Sequence, residues 1–339
     1  MTPRALGRTC VALLLAIGAG AAGPAGQAST DLPRRADPPT VTGYVLEGAS
    51  PRLVTRDAGA LSTVGVAALL LRPDGRDVAR PSDGALRLLR TAHEQGVRAE
   101  PLLSNWSNRL EDFDPRAARR LLRHEARVRR VAARLASYAS EQGWDGVTVD
   151  LERLRPADGP GLVLLLRELQ ARMPADRTVS VDVSASTSVR IYHARGYRIR
   201  ELGRAADVVA LMAYDQHGPG WSDPGPIGAL PWQRRTLAAL ATAVPASKVD
   251  LGVAGYGYTW PRQGTGHTVT DRGARRLVRE DGARAVWKAR EGEWRAQLSD
   301  GTVLWWSDRR SYDVRRSLAV QEGTHGLAVW RLGSADPLS

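Results

Sequence analysis

Residues 144–152 read Trp144-Asp145-Gly146-Val147-Thr148-Val149-Asp150-Leu151-Glu152, and the alternation inside this stretch decides the fold. Side chains of a strand point to opposite faces in turn, so Thr148, Asp150 and Glu152 share one face and Val147, Val149 and Leu151 the other. The apolar face fits a layer of helices. The polar face then points into a barrel and its mouth, where two carboxylates two residues apart lose solvent and repel each other. Such a placement raises one pKa and keeps a general acid protonated near neutral pH. A carboxylate pair bonded to arginines at the barrel rim is the alternative that the strand pattern alone leaves open.

Outward from this stretch, short apolar runs alternate with longer amphipathic ones. Strands are predicted near 41–47, 64–71, 97–103, 146–152, 178–184, 207–213, 249–256 and 326–331. Several are nearly continuous in hydrophobicity, as expected of parallel strands buried on both faces. Asp114-Pro115 places an N-cap before a proline at the first helical position and opens a helix predicted to run to about Glu141. Further helices fit 84–95, 159–173, 232–243 and 308–321. Eight strand–helix alternations predict an α/β chain folded as a (β/α)8 TIM barrel, rather than a doubly wound sheet. Residues 261–306 break the rhythm: the segments around Trp287, Trp294 and Trp305 predict a small β excursion between strands seven and eight. That excursion is too short for a deep wall, so a fairly open groove is expected.

Asp145-Gly-Val-Thr-Val-Asp150-Leu-Glu152 resembles, with one substitution, the DGxDxDxE signature of glycoside hydrolase family 18, the family of chitinases and spore-cortex hydrolases. Three further segments match in the right order. Leu211-Met212-Ala213-Tyr214-Asp215 resembles the MxYD segment of the sixth strand, with Pro224-Gly225-Pro226 and Pro231-Trp232 following. Gly252 to Trp260 resembles the GxxxYG segment of the seventh, and Val329-Trp330-Arg331-Leu332-Gly333-Ser334-Ala335-Asp336 the end of the eighth. Gly43-Tyr44 and Pro101 to Trp106 fit the first and third strands more loosely. The resemblance spans about residues 41–337 and is nearest in flavour to the compact bacterial branch of spore-cortex and cell-wall hydrolases.

What the resemblance implies is retaining hydrolysis of β-linked N-acetylglucosamine-containing glycans, chitin or peptidoglycan in type, with the substrate's 2-acetamido oxygen as nucleophile. This family stands outside the two-carboxylate scheme. Glu152 would protonate the glycosidic oxygen, and Asp150 would accept the acetamide N–H. Tyr214 would hydrogen-bond the acetamide oxygen, Asp215 would hold the distorted sugar, and Trp330 would floor it. Met212, Asp145, Tyr44, Trp232 and Tyr256 are the further substrate-binding candidates, with simple packing the competing reading for Tyr44 and Tyr256. His217, directly after the Tyr-Asp pair, is a candidate for substrate contact. Thr148 departs from the signature, which has an acid there. Threonine keeps a hydrogen bond but removes a titratable partner of Asp150, so an altered pH dependence is expected. A non-catalytic glycan-binding protein on the same barrel is the rival reading, and the intact set of Glu152, Asp150, Tyr214 and Asp215 separates the two.

Composition bounds the remaining classes. The chain has 339 residues, 43% of them hydrophobic, with 48 basic and 36 acidic side chains and a formal charge of +12. Only Lys248 and Lys288 are lysines, and the arginines are scattered beside acids, without zinc-finger or basic-zipper spacing. No nucleic-acid partner is therefore expected. The six histidines never approach a His-x-x-x-His spacing, and no G-x-S-x-G elbow is present, so neither a zinc site nor a serine triad is expected, and no cofactor. Residues 1–28 read as a secretory signal peptide: Arg4 and Arg8 precede the apolar core Val11 to Ile17, and Gly26-Gln27-Ala28 offers a cleavage site. The core is too short for a stable membrane span. Cys10 lies within it, so the exported chain would carry no thiol. Residues 29–40 read as a linker and 41–339 as the barrel, expected to act as a monomer outside the cell or at its wall.

Overall fold

A computed structural model describes residues 39–339; the signal peptide expected at 1–28 and nearly all of the linker lie outside them. Eight strands close a parallel barrel: β1 (Thr40–Leu46), β2 (Thr63–Leu70), β3 (Arg98–Ser104), β4 (Gly146–Asp150), β5 (Thr178–Ser184), β6 (Val208–Met212), β7 (Val249–Ala254) and β8 (Gly326–Trp330). Each pairs with the next in sequence, and β8 returns to β1 with Thr40 opposite Gly326. The last residue of the expected linker is thus already strand. Helices wrap the outside, which makes the chain a (β/α)8 barrel.

The alternation read in β4 holds. Val147 and Val149 are fully buried against the helix layer, and Thr148 and Asp150 are buried inside the barrel. The strand ends at Asp150, two residues earlier than expected, so Leu151 and Glu152 belong to the loop above it. Apolar packing inside the barrel is thin, a cluster of Tyr44, Ala67, Leu102, Ala210 and Ala328 under Trp330. The rest of the lumen holds carboxylates: Glu100 of β3, Asp182 of β5 and Asp250 of β7 are all buried. The larger core lies between strands and helices. Helix Gly159–Gln170 buries Leu162, Leu165, Leu166 and Leu169 there, each contributing about 1.5–3 kcal/mol.

The helix predicted over 114–141 is two helices, Pro115–Leu122 and Glu125–Gln142. Asp114 caps the first as expected, its Oδ1 accepting the N–H groups of Arg116 and Ala117. The chain becomes extended at His124, and the Leu122 carbonyl at this break lies against Gly161, where an added Cβ would sit 1.9 Å from its oxygen. The break is the shape that lets the helix from Gly159 pack close. Among the described residues no helix is long and apolar enough to cross a membrane.

The excursion begins four residues earlier than the sequence suggested. The strand predicted over 249–256 stops at Ala254, and Gly257–Trp260 turns away to start an antiparallel sheet with Thr268–Val269, Val286–Lys288, Glu293–Gln297 and Val303–Trp306. An eleven-residue helix, Asp271–Asp281, belongs to it. Trp306 and Leu304 anchor its own small core, and Tyr256 and Tyr258 at its base line the barrel mouth.

Candidate active site

Glu152 leaves the sheet at the C-terminal end of β4, the end where barrels of this kind carry their chemistry. Asn105, just past β3, clamps it. The Asn105 Oδ1 accepts the Glu152 N–H at 2.9 Å, and its Nδ2 donates to the carbonyls of Glu152 and Asp114, both at 3.1 Å. The side chain of Asn105 thus replaces the ladder bonds that the Glu152 peptide groups lose on leaving the strand. The sequence placed Asn105 in a loosely matching segment and assigned it no role.

Burial raises the Glu152 carboxyl well above the usual carboxylate range, and the neighbouring charges of Asp150 and Asp215 add to the rise. Asp150 is raised by burial and by the charge of Asp182, with the Ser104 hydroxyl opposing. Its Oδ1 is buried and has no hydrogen-bond partner. Four carboxyl groups therefore meet at the top of the lumen, and a proton on Glu152 near neutral pH follows from where they sit. No arginine bonds Asp150 or Glu152 among the described residues, against the alternative of a rim ion pair.

Asp215 follows β6 with φ +56°, a left-handed backbone that aspartate tolerates better than most residues. Its Oδ1 accepts the hydroxyls of Tyr256 at 2.5 Å and Tyr258 at 2.8 Å. Burial raises the Asp215 carboxyl and these two hydroxyls oppose the rise. Tyr256 therefore serves Asp215, and Tyr258 joins it without having been foreseen. Tyr214 packs edge-on against Tyr256, ring centroids 6.4 Å apart. The loop from Asp215 to Leu230 is tied down by Glu293, whose carboxylate accepts the N–H groups of Ile227 and Gly228 and pairs with Arg315.

The mouth holds a groove of three neighbouring spaces, two pairs of which share lining residues. One of about 710 Å³ is lined by Asp150, Trp330, Trp106 and Phe113. A second of about 480 Å³ is lined by Glu152, Met212, Tyr214, Asp215, Trp221 and Trp232. A third of about 270 Å³ joins Asp215, Tyr256 and Tyr258 to Trp330. Trp330 borders two parts and Asp215 the other pair, so the carboxylates sit between them. Trp106 and Trp221 are exposed to 38% and 58%, apolar faces suited to the apolar face of a sugar ring.

Eight of the ten residues singled out from sequence gather at this mouth: Glu152, Asp150, Tyr214, Asp215, Trp330, Met212, Trp232 and Tyr256. Two do not. Asp145 lies at the N-terminal end of β4, at the opposite end of the barrel, where it pairs with His93 at 2.8 Å and Arg177 at 2.9 Å and accepts the Ala99 N–H. Its signature position ties β4 to its neighbours and touches no groove. Tyr44 is buried inside the barrel with its hydroxyl on Asp182 at 3.1 Å; Gly65, where a Cβ would lie 2.3 Å from the ring, makes room for it. His217 packs its ring on Gly225 and lines none of the three spaces. Thr148 does keep a hydrogen bond, but to Glu100 at 3.0 Å and not to Asp150. Asp182 went unread, although Val179, Val181 and Val183 alternate with Ser180, Asp182 and Ser184 as clearly as the residues of β4 do.

The chain matches the model of the family described as Glycosyl hydrolases family 18 over residues 87–335. It is 23% identical over 261 residues to the uncharacterized glycosylase YvbX of Bacillus subtilis (strain 168), an alignment covering 74% of this chain and 76% of YvbX. The spore cortex-lytic enzyme SleL of Bacillus cereus has the same fold, with a TM-score of 0.79 at 18% identity over 88% of this chain and 72% of SleL. So does the chitinase of Chromobacterium violaceum ATCC 12472, with a TM-score of 0.79 at 24% identity over 88% and 95%.

Proposed function

The chain belongs to glycosyl hydrolases family 18, and from that premise we propose that it hydrolyses β-linked N-acetylglucosamine-containing glycans outside the cell, with the substrate's own acetamide as nucleophile. The observation that carries this reading is the pairing of two different carboxyls at one groove. Glu152 is placed to keep its proton, and Asp150 offers a buried oxygen with no partner.

Each group then has one task. Glu152 gives its proton to the glycosidic oxygen as the bond from C1 breaks. The acetamide oxygen of the same sugar forms a bond to C1, leaving an oxazolinium ion, while Asp150 accepts the acetamide N–H and spreads the positive charge. Tyr214 donates to the acetamide oxygen, and Asp215, held by Tyr256 and Tyr258, fixes the distorted ring over Trp330. Water then adds to C1 from the face the leaving group vacated, and the Glu152 carboxylate takes its proton. Two inversions give net retention. An oriented intramolecular nucleophile lowers a barrier by about 7–11 kcal/mol, so no side-chain nucleophile is needed.

The solved structures of the same fold include a spore cortex-lytic enzyme and a chitinase at equal TM-score, so a bacterial wall glycan and chitin both belong in the substrate panel. The length of the three-part groove and the exposed Trp106 and Trp221 fit a chain with sugars on both sides of the cleaved bond. The test is release of reducing ends from N-acetylglucosamine oligomers, chitin and peptidoglycan, comparing the wild type with Glu152→Gln. Turnover lowered by about 10²–10⁴-fold is expected. Equal turnover by both proteins refutes the acid assignment, and binding of the panel without turnover by the wild type favours the glycan-binding alternative.

A further inference from the structure

Val149 and Val181 are register partners across β4 and β5. The next rung sets Asp150 beside Asp182, on the lumen face of both strands, and both side chains are buried. Ser104 stands beside Asp150 from β3, and Tyr44 reaches Asp182 from β1, its hydroxyl 3.1 and 3.4 Å from the two carboxylate oxygens. The ionisable groups that face Asp182 from the packed elements are Tyr44, Glu100, Asp150 with Glu152, Tyr214 and Asp250. All are acids or phenols.

Among the described residues no arginine, lysine or histidine pairs with Asp150 or Asp182, although Arg331 lines the same space as Asp150. Arg98 donates to Thr178 and to the Asp145 carbonyl, and His325 pairs with Asp250 at 2.7 Å. Two adjacent buried carboxyls without a counter-cation do not both ionise, because neither burial nor repulsion is offset. One proton therefore stays in the pair. Asp150 borders the groove, whereas Asp182 lines none of its three parts and already holds the Tyr44 hydroxyl.

We propose that Asp182 holds this proton and is a positioning residue for Asp150, its carboxyl O–H supplying from the adjacent strand the donor that the unpartnered Oδ1 of Asp150 lacks. With the proton on Asp182, Asp150 remains an anion turned toward the groove, ready to accept an N–H from a ligand. Thr148 cannot do this, since its hydroxyl is committed to Glu100; the acidic partner missing from the signature strand is supplied by the neighbouring one. Burial pushes the Asp182 carboxyl up to about 8, against the Tyr44 hydroxyl and with the charges of Glu152, Glu100 and Asp250 adding to the rise. In its role toward the acetamide, the inference rests on the proposed glycosidase reading.

Two measurements on the full chain test it and fail separately from that reading. Infrared difference spectra between acid and alkaline pH should show protonated-carboxyl C=O absorption at pH 7, one component of which is present in the wild type and in Glu152→Gln and lost in Asp182→Asn, where the absorption of Glu152 and Glu100 remains. The asparagine preserves the shape and the Tyr44 hydrogen bond. Absorption equally strong in Asp182→Asn overturns the proposal, whether or not the protein cleaves any glycan. In turnover of an N-acetylglucosamine oligomer, Asp182→Asn, whose amide N–H can donate to Asp150 as the protonated carboxyl does, should keep kcat within about three-fold of the wild type, whereas Asp182→Val, which has no donor, should lower kcat about ten-fold with KM changed less than two-fold. A kcat as low in Asp182→Asn as in Asp182→Val assigns Asp182 another role and overturns the proposal. If no oligomer is turned over by the wild type, the glycosidase reading falls and the infrared result still decides the place of the proton.

Discussion

Arg315 and Glu293 form an ion pair at 2.9 Å in which the side chains are 1% and 0% exposed. The arginine also donates to the carbonyls of Gly228, Gly292 and Ser311, and Glu293 holds the N–H groups of Ile227 and Gly228. One pair thereby joins the loop behind Asp215, the insertion and the last helix, and its energetic weight lies in what remains when one partner is removed.

Arg315→Met is expected to destabilise the protein by about 3–5 kcal/mol, because Glu293 is left buried without its counter-charge. Arg315→Met combined with Glu293→Gln should recover part of that loss. Urea unfolding of the two proteins checks this; a single variant within 1 kcal/mol of the wild type, on the scale of a surface pair, contradicts it.

Asn105→Ala should lower kcat about ten-fold with little change in KM. It frees the Glu152 backbone, and small misplacements of a reacting group cost turnover. Stability should fall by about 1–3 kcal/mol as the Glu152 N–H and two carbonyls lose their partner. Steady-state kinetics on the best substrate of the panel, paired with thermal unfolding, would show both effects; a rise in KM alone assigns Asn105 to binding instead.

Glu100 is pushed up to about 7 by burial, against the hydroxyls of Thr148 and Ser180. Between about pH 4.5 and 7 the folded protein thus keeps a proton that the unfolded chain has released. Its contribution to stability is complete below the unfolded value and is lost as pH rises through 7, on the order of 1 kcal/mol per pH unit. Glu100→Gln should flatten the decline of Tm between pH 5 and 8. Parallel Tm curves for the two proteins rule this out.

Gly161→Ala should destabilise the barrel by about 1–3 kcal/mol through overpacking, since its Cβ meets the Leu122 carbonyl oxygen at 1.9 Å. Gly59→Ala meets nothing within 4 Å and should be neutral. Denaturant midpoints of the two variants give the comparison, and equal midpoints refute the close approach.

Much of the site was legible because it lies on short runs at strand ends. Glu152 and Asp150 follow from one alternation, and Tyr214, Asp215 and Trp330 from two neighbouring segments that end the same way. Tyr44 and Asp145 were misplaced for a common reason: a strand pattern says which face a side chain takes, but not at which depth of the barrel it lies. Asp145 comes at the entrance of β4 and Asp150 at its exit, five residues apart and at opposite ends. The break at His124 and the turn that starts the insertion at Gly257 were hidden because both answer to packing partners distant in sequence, Gly161 for the one and Trp305 and Trp306 for the other.

The sequence by itself determined that β4 buries Val147 and Val149 outward and carries two carboxylates inward, since the two-residue period of a strand is local. It also determined the eightfold succession of strand and helix. Only the tertiary structure decided which charges keep company in the lumen. Tyr44 and Asp182 stand 138 residues apart in the chain, and Glu100, Asp182 and Asp250 come from three different strands. Their shifted pKa values come from burial and mutual distance, which exist only once the sheet has closed on itself.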